Sequence, residues 1–171
     1  GSETNLPVVR ITEDWASLLA YIAGDGWLGE KSFDITVGSD YKEEINHIKS
    51  LLERLGLPYS VTNSGKRTVG ATMDVLDFKV WSRQVCAFLR FAGAKTSGTR
   101  MHIPWVIMRS PWAVIRTFLK IYFECDGCHS KGEVHCTSAS ESYICELQQL
   151  LLYVGIMSRV CPTWNKQYLK N

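Results

Sequence analysis

Two short segments of this chain close on the same pair of residues: Leu18–Gly26 reads LLAYIAGDG and Leu119–Gly127 reads LKIYFECDG. Each is an apolar run at helical spacing that ends in Asp-Gly. Carboxylates delivered by two related helices, Asp25 and Asp126, would make a divalent-cation site, and oxygen donors at helix ends suit a hard ion such as Mg²⁺ that keeps part of its water shell. Phosphodiester hydrolysis needs such a site, because the cation polarises the phosphate and generates a nucleophile near neutral pH. An isolated carboxylate at a helix C-terminus is disfavoured by a few tenths to ~1 kcal/mol, and a bound cation reverses that sign. The expected ligands are Asp25, Asp126 and the backbone carbonyls of Gly24 and Cys125. One Asp-Gly after a helix is only a turn signal; the pair is what points to a site.

The elements that must position these acids recur. After the first motif comes GSDYKEEINHIKSLLERLGLPYSV (Gly38–Val61) and after the second TSASESYICELQQLLLYVGIMSRV (Thr137–Val160). Ser39 aligns with Ser138, Gly56 with Gly155 and Val61 with Val160 at one constant offset, so the sequence carries one design twice. A first helix is expected from about Glu13 to Gly24, with Thr12 as N-cap and Trp15, Leu18, Leu19 and Ile22 at helical spacing. Phe33, Ile35 and Val37 alternate with Ser32, Asp34 and Thr36, the pattern of a half-buried strand with one wet face, and Val134, Cys136 and Ser138 alternate likewise with Glu133, His135 and Thr137. A second helix follows from about Tyr41 to Leu55, capped by Ser39 or Asp40 and ended by Gly56, with a copy over roughly Glu141 to Val154. Strands near Tyr59–Asn63 and Met73–Trp81 and a helix near Ser82–Phe91 complete the first copy; counterparts of Met73–Phe91 are not found in the second, which is read either as a fragment or as naturally abbreviated. The expected division is a tag and linker over residues 1–11, a first repeat over 12–109 and an incomplete second repeat over 110–171.

These paired motifs, their spacing and the pattern between them resemble the LAGLIDADG homing endonucleases, most of all the endonuclease domain of an intein. His102-Ile103-Pro104-Trp105 resembles the lysine-x-Ile-Pro block of that family, and Leu150–Ile156, LLLYVGI, resembles the block after its second motif. The resemblance implies an α+β fold, a pseudo-symmetric duplicated αββαββα unit whose curved antiparallel sheet holds DNA, here with the second copy abbreviated at its C-terminus. It implies a Mg²⁺-dependent, site-specific double-strand endonuclease acting on a long DNA site, with Asp25 and Asp126 each serving one strand. A basic residue near the scissile phosphate is expected; the position that the resemblance gives to lysine is Met101, and Lys95 and Arg100 are the nearby basic side chains. Met101 keeps open a second reading, a DNA- or RNA-binding domain that does not cleave, such as a degenerate intein domain, a maturase or a regulator. Splicing itself would belong to a flanking splicing domain.

Binding is expected on the wet strand faces and hairpin tips. Lys31, Ser32, Asp34 and Thr36 in the first copy and Lys131, Glu133, His135 and Thr137 in the second stand at strand spacing, able to reach base edges. Lys66 and Arg67 in one turn, and Arg159 and Lys166 in its counterpart, are expected on phosphates. His47 is expected to face solvent, and Trp27 and Trp164 to pack at hairpins or stack on DNA.

Nineteen basic against seventeen acidic residues allow a nucleic-acid partner without demanding one, and 46% apolar content supports a full core. No apolar run reaches the ~20 residues a membrane span needs. Nothing reads as a signal peptide, and the six cysteines lie mostly in apolar stretches, so free thiols and a cytoplasmic, nuclear or organellar setting are expected. Cys125, Cys128, His129, His135 and Cys136 are zinc-type ligands, but the second close pair that would complete a structural site is missing.

Overall fold

The computed structural model describes residues 10–66, 73–94, 100–130 and 132–161. Its elements run α1 (Glu13–Ala23), β1 (Gly26–Leu28), β2 (Ser32–Gly38), α2 (Lys42–Arg54), β3 (Tyr59–Gly65), β4 (Val75–Trp81), α3 (Arg83–Phe91), α4 (Trp105–Met108), α5 (Trp112–Asp126), β5 (Cys128–Ser130), β6 (Glu133–His135) and α6 (Glu141–Tyr153). The order helix, hairpin, helix thus occurs twice, once from α1 and once from α5.

Local chemistry sets the helix ends. Thr12 Oγ1 accepts from Trp15 N at 3.4 Å to start α1, and Ser82 and Ser140 cap α3 and α6 by accepting from Val85 N and Tyr143 N. The expected cap of α2 by Ser39 or Asp40 does not form. Tyr41 stands at the cap without a side-chain bond, because the Ser39 hydroxyl is turned to Asp40 and the Ser39 carbonyl accepts from Lys42 Nζ at 2.6 Å. Both α2 and α6 close in the same way: Gly56 and Gly155 adopt φ of +65° and +85°, and the next amides reach back to Leu52 O and Leu151 O.

The first hairpin grows into a four-stranded antiparallel sheet in the order β1-β2-β4-β3. Register puts Phe33, Val80 and Tyr59 in one cross-strand row and Ile35, Phe78 and Val61 in the next, facing the helices; Asp34, Lys79 and Ser60, then Thr36, Asp77 and Thr62, line the opposite face. Among the described residues a single hydrophobic core runs from α1 through α2, the sheet and α5 to α6, and every residue of α1 from Ala16 to Ala23 is buried.

The second hairpin differs from expectation. It is a separate two-stranded sheet, and its strand β6 covers only Glu133–His135, all exposed. Val134 is 64% exposed, whereas Phe33, which holds the same place in the first hairpin, is 0% exposed. β2 is flanked by β4; among the described residues β6 pairs only with β5. The alternation is present, but among the described residues the apolar side chain of Val134 is left exposed.

A candidate metal centre and nucleic-acid interface

Helices α1 and α5 pack against each other and end at the same place. A Cβ built on Gly24 would lie 2.5 Å from Cys125 Cβ and 3.4 Å from its Sγ, so only glycine fits where the two helices meet. The small stripe Ala20, Ala23 and Gly24 presents little side-chain bulk at this contact, which lets helices approach closely. Asp25 and Asp126, each next in sequence to one of the touching residues, are exposed just beyond the contact, where each helix turns into its hairpin.

Side chains around the acids are not equivalent. Burial first, then the charges of Asp25 and Asp126, push the Cys125 thiol above its ordinary pKa. Tyr122, one turn before Asp126, is pushed up by burial and then by the Asp126 charge. Its ring packs on Phe118 and Tyr143, with the Tyr143 centroid 5.3 Å away; among the described residues the buried Tyr143 Oη has no hydrogen-bond partner. The counterpart of Tyr122 is Tyr21, whose hydroxyl instead bonds His47 Nδ1 at 2.7 Å. The expectation that His47 faces solvent is therefore corrected. It is half-buried between α2 and α1, and burial, then the positive charge of Arg54, lowers its pKa.

Two carboxylates beside last-turn carbonyls are hard oxygen donors, which suits a divalent cation holding several waters. Among the described residues no three His, Cys, Asp or Glu side chains converge to hold a metal by themselves, which removes the zinc-type set Cys125, Cys128, His129, His135 and Cys136. Those cysteines are free thiols.

The predicted binding residues scatter. Ser32 is 5% exposed, and Asp34 and Thr36 are half-buried. The wet face of β2 is thus less wet than expected, because β4 lies beside it. Lys79 Nζ approaches Asp34 Oδ1 at 3.6 Å and sits 4.8 Å from the Trp81 ring, while Thr36 Oγ1 donates to Asp77 Oδ1 at 2.6 Å and Ser64 Oγ to Asp77 Oδ2. Lys31, Lys66, Glu133, His135, Thr137 and Arg159 are exposed. Lys95, Arg67, Lys131, Lys166 and Trp164 lie outside the described residues. Residues overlooked in the sequence are Asp77, Lys79 and Trp81, which share the polar face with Trp27; their alternation with Leu76, Phe78 and Val80 was the available signal.

Arg100 is exposed, and Met101 beside it packs against the core with its carbonyl accepting from Ser140 Oγ at 2.7 Å. His102 Nδ1 and Ile103 N both meet the Glu146 carboxylate, at 2.8 and 2.7 Å. The segment from 101 to 103 is thereby fastened to α6.

A family profile described as a LAGLIDADG-like domain matches residues 113–170. The chain is 28% identical over 155 residues to a replication factor C small subunit from Methanocaldococcus jannaschii, covering 90% of this chain and 8% of that protein. It is 30% identical over 122 residues to the tRNA-splicing ligase RtcB of Pyrococcus abyssi, covering 66% of this chain and 13% of that protein. The chain thus spans only a small part of the length of these curated relatives. Among solved structures, the homing endonuclease I-DmoI in complex with DNA and Mn superposes with a TM-score of 0.58 at 11% identity, over 85% of this chain and 79% of that one. The N-terminal LAGLIDADG domain of DUF199/WhiA superposes with a TM-score of 0.59 at 12% identity, over 94% and 75%. Residues 113–170 thus match a LAGLIDADG-like domain, and the chain has the α+β fold of the LAGLIDADG homing endonucleases.

Proposed function

We propose that this chain is a site-specific DNA-binding module and a divalent-cation-dependent endonuclease of intein origin, built as a duplicated unit. The observation that carries the proposal is the convergence of Asp25 and Asp126 at the Gly24–Cys125 contact, each at the root of a hairpin. Asp25, Asp126 and the carbonyls of Gly24 and Cys125 would hold the cation, with Mg²⁺ as the physiological ion. When bound, it would supply charge for the phosphate and an acidified water. The polar face with Trp27, Asp34, Thr36, Asp77, Lys79 and Trp81 would lie along the duplex, placing one scissile phosphate near each carboxylate; Lys66 and Arg159 would meet phosphates. Intein origin is supported by the curated relatives: one segment resembles small parts of a replication factor subunit and of an RNA ligase, as expected of an element that resides in unrelated hosts.

One observation favours binding without cleavage. Met101 presents a partly buried apolar side chain where the family resemblance implies lysine, and exposed Arg100 beside it cannot serve as a base at neutral pH. Strand-resolved nicking of a plasmid library in Mg²⁺, wild type against Asp25→Asn and Asp126→Asn, separates the two. The proposed endonuclease cuts both strands and each variant spares one of them, with duplex affinity kept within about threefold. A wild type that binds a selected site without cutting it in Mg²⁺ or Mn²⁺ overturns cleavage and leaves the binding module.

A further inference from the structure

The end of α5 far from the carboxylates carries an exposed group of side chains that the candidate centre does not use. At about 1.5 Å per residue, Trp112 at the start of α5 stands roughly 20 Å from Asp126 at its end. Trp105 and Trp112 are 42% and 49% exposed, and each has a guanidinium over its ring, Arg109 at 5.7 Å and Arg116 at 5.1 Å from the ring centroids. Arg10, Trp105, Arg109 and Pro111 line one shallow groove, and Arg10 and Pro111 continue into a second, where Ile11 and Val114 add apolar surface. The neighbouring acids are engaged elsewhere. Glu13 accepts from the Thr117 hydroxyl at 3.3 Å, Asp14 holds Arg54 at 2.8 Å, and the first turn of α5 contains no acid. Among the described residues Arg10, Arg109 and Arg116 form no ion pair.

We propose that this end of the molecule is a docking surface for an acidic segment of a partner protein, one in which carboxylates alternate with apolar side chains. Three uncompensated guanidiniums around an apolar groove complement such a segment in both respects. Each guanidinium can take a carboxylate through paired N–H donors, while Ile11, Pro111 and Val114 receive the apolar side chains between them. A cation–π contact leaves the N–H edge of the guanidinium available to donate. Tryptophan and arginine are also the residues that most often carry the binding energy of protein interfaces. Single-stranded nucleic acid fits this surface less well, because base stacking requires open ring faces. Arg109 and Arg116 each cover one face of an indole, and Phe91 packs edge-on to Trp105 at 5.5 Å, with the Trp105 N–H donated to the Phe91 carbonyl. The separation from Asp126 lets a partner sit here without touching the candidate cation site.

The probe is a short fluorescein-labelled peptide of alternating Glu and Leu, titrated into the full chain by fluorescence anisotropy, with a Gln-for-Glu peptide and a single-stranded oligothymidylate as unlabelled competitors. The acidic peptide is expected to bind and to resist displacement by either competitor. Arg109→Gln and Arg116→Gln should each weaken it about threefold and the double variant about tenfold, while Lys49→Gln, which removes an exposed charge on α2, should change it less than about twofold. Duplex DNA affinity should stay within about twofold in the arginine variants. Absence of peptide binding overturns the proposal, as does equal weakening by Lys49→Gln, which would show attraction to net charge alone. Displacement by oligothymidylate, or a matching loss of duplex affinity in the arginine variants, would assign the surface to nucleic acid and overturn it likewise.

Discussion

Replacing Gly24 with alanine tests the geometry on which the centre depends. The added Cβ would lie 2.5 Å from Cys125 Cβ, the stem of a residue on a packed helix and not the free end of a flexible side chain. Carbon atoms rest at about 3.5–4.0 Å, so the helix ends must separate by roughly 1–1.5 Å. Overpacking of this kind costs about 1–3 kcal/mol. Alanine regains up to about 0.5–1 kcal/mol of backbone entropy relative to glycine, and less here because Gly24 is at the cap of α1. A net loss of about 1–2 kcal/mol, at about 2–4 °C per kcal/mol for a chain of this size, lowers Tm by roughly 2–8 °C. Circular-dichroism melts of wild type, Gly24→Ala, Cys125→Gly and the double variant measure it. The penalty of Gly24→Ala should largely vanish in the Cys125→Gly background, because the opposing Cβ is gone. A Gly24→Ala chain that melts at or above wild type, or that loses the same stability in both backgrounds, refutes the close crossing.

Further outcomes follow from other parts of the molecule. Phe33→Ala should cost about 3–5 kcal/mol by denaturant titration, and Val134→Ala, at the matching place in the second hairpin, less than about 0.5 kcal/mol; equal costs would show that β6 is covered. Ser140→Ala should cost about 1–2 kcal/mol, because it removes the α6 cap and also strands the Met101 carbonyl that Ser140 satisfies; Thr12→Ala, at an exposed cap, should cost less in the same titration. His47 has a folded-state pKa held below its ordinary 6.5, so the unfolded chain binds the extra proton first, and stability is fully present above about pH 6.5 and declines as pH falls through the folded value. His47→Gln should flatten that decline in denaturant titrations between pH 7 and 5. Lys79→Gln should weaken duplex binding and reduce its salt slope by about one, which equilibrium titrations at several salt concentrations would detect.

Much of this architecture was legible because local chemistry and global fold agree. Thr12, Gly56, Gly155 and the Phe33/Ile35 alternation each carry an end or a face that any neighbour would respect. The failures share a cause: they depend on what lies alongside in space. His47 sits on a charged helix and is half-buried only because Tyr21 of another helix reaches it. Ser32 reads as a wet strand residue and is covered by β4, more than forty positions away. Val134 alternates correctly and is still exposed, since alternation states which side is apolar and not whether anything lies over it. The acids were visible as a pair, but the unlike surroundings of their helix ends were not, because Tyr21 is taken up by His47 of α2 whereas Tyr122 packs on Tyr143 of α6.

The seam between α1 and α5 is at once the middle of the only hydrophobic core among the described residues and the floor beneath the two carboxylates. The spacing of the acids therefore has no hinge or loop through which it could be adjusted independently. A lineage that needs a different distance between its acids must repack its own interior, and one that loosens its interior loses the distance. A change in either property is therefore felt as a change in the other.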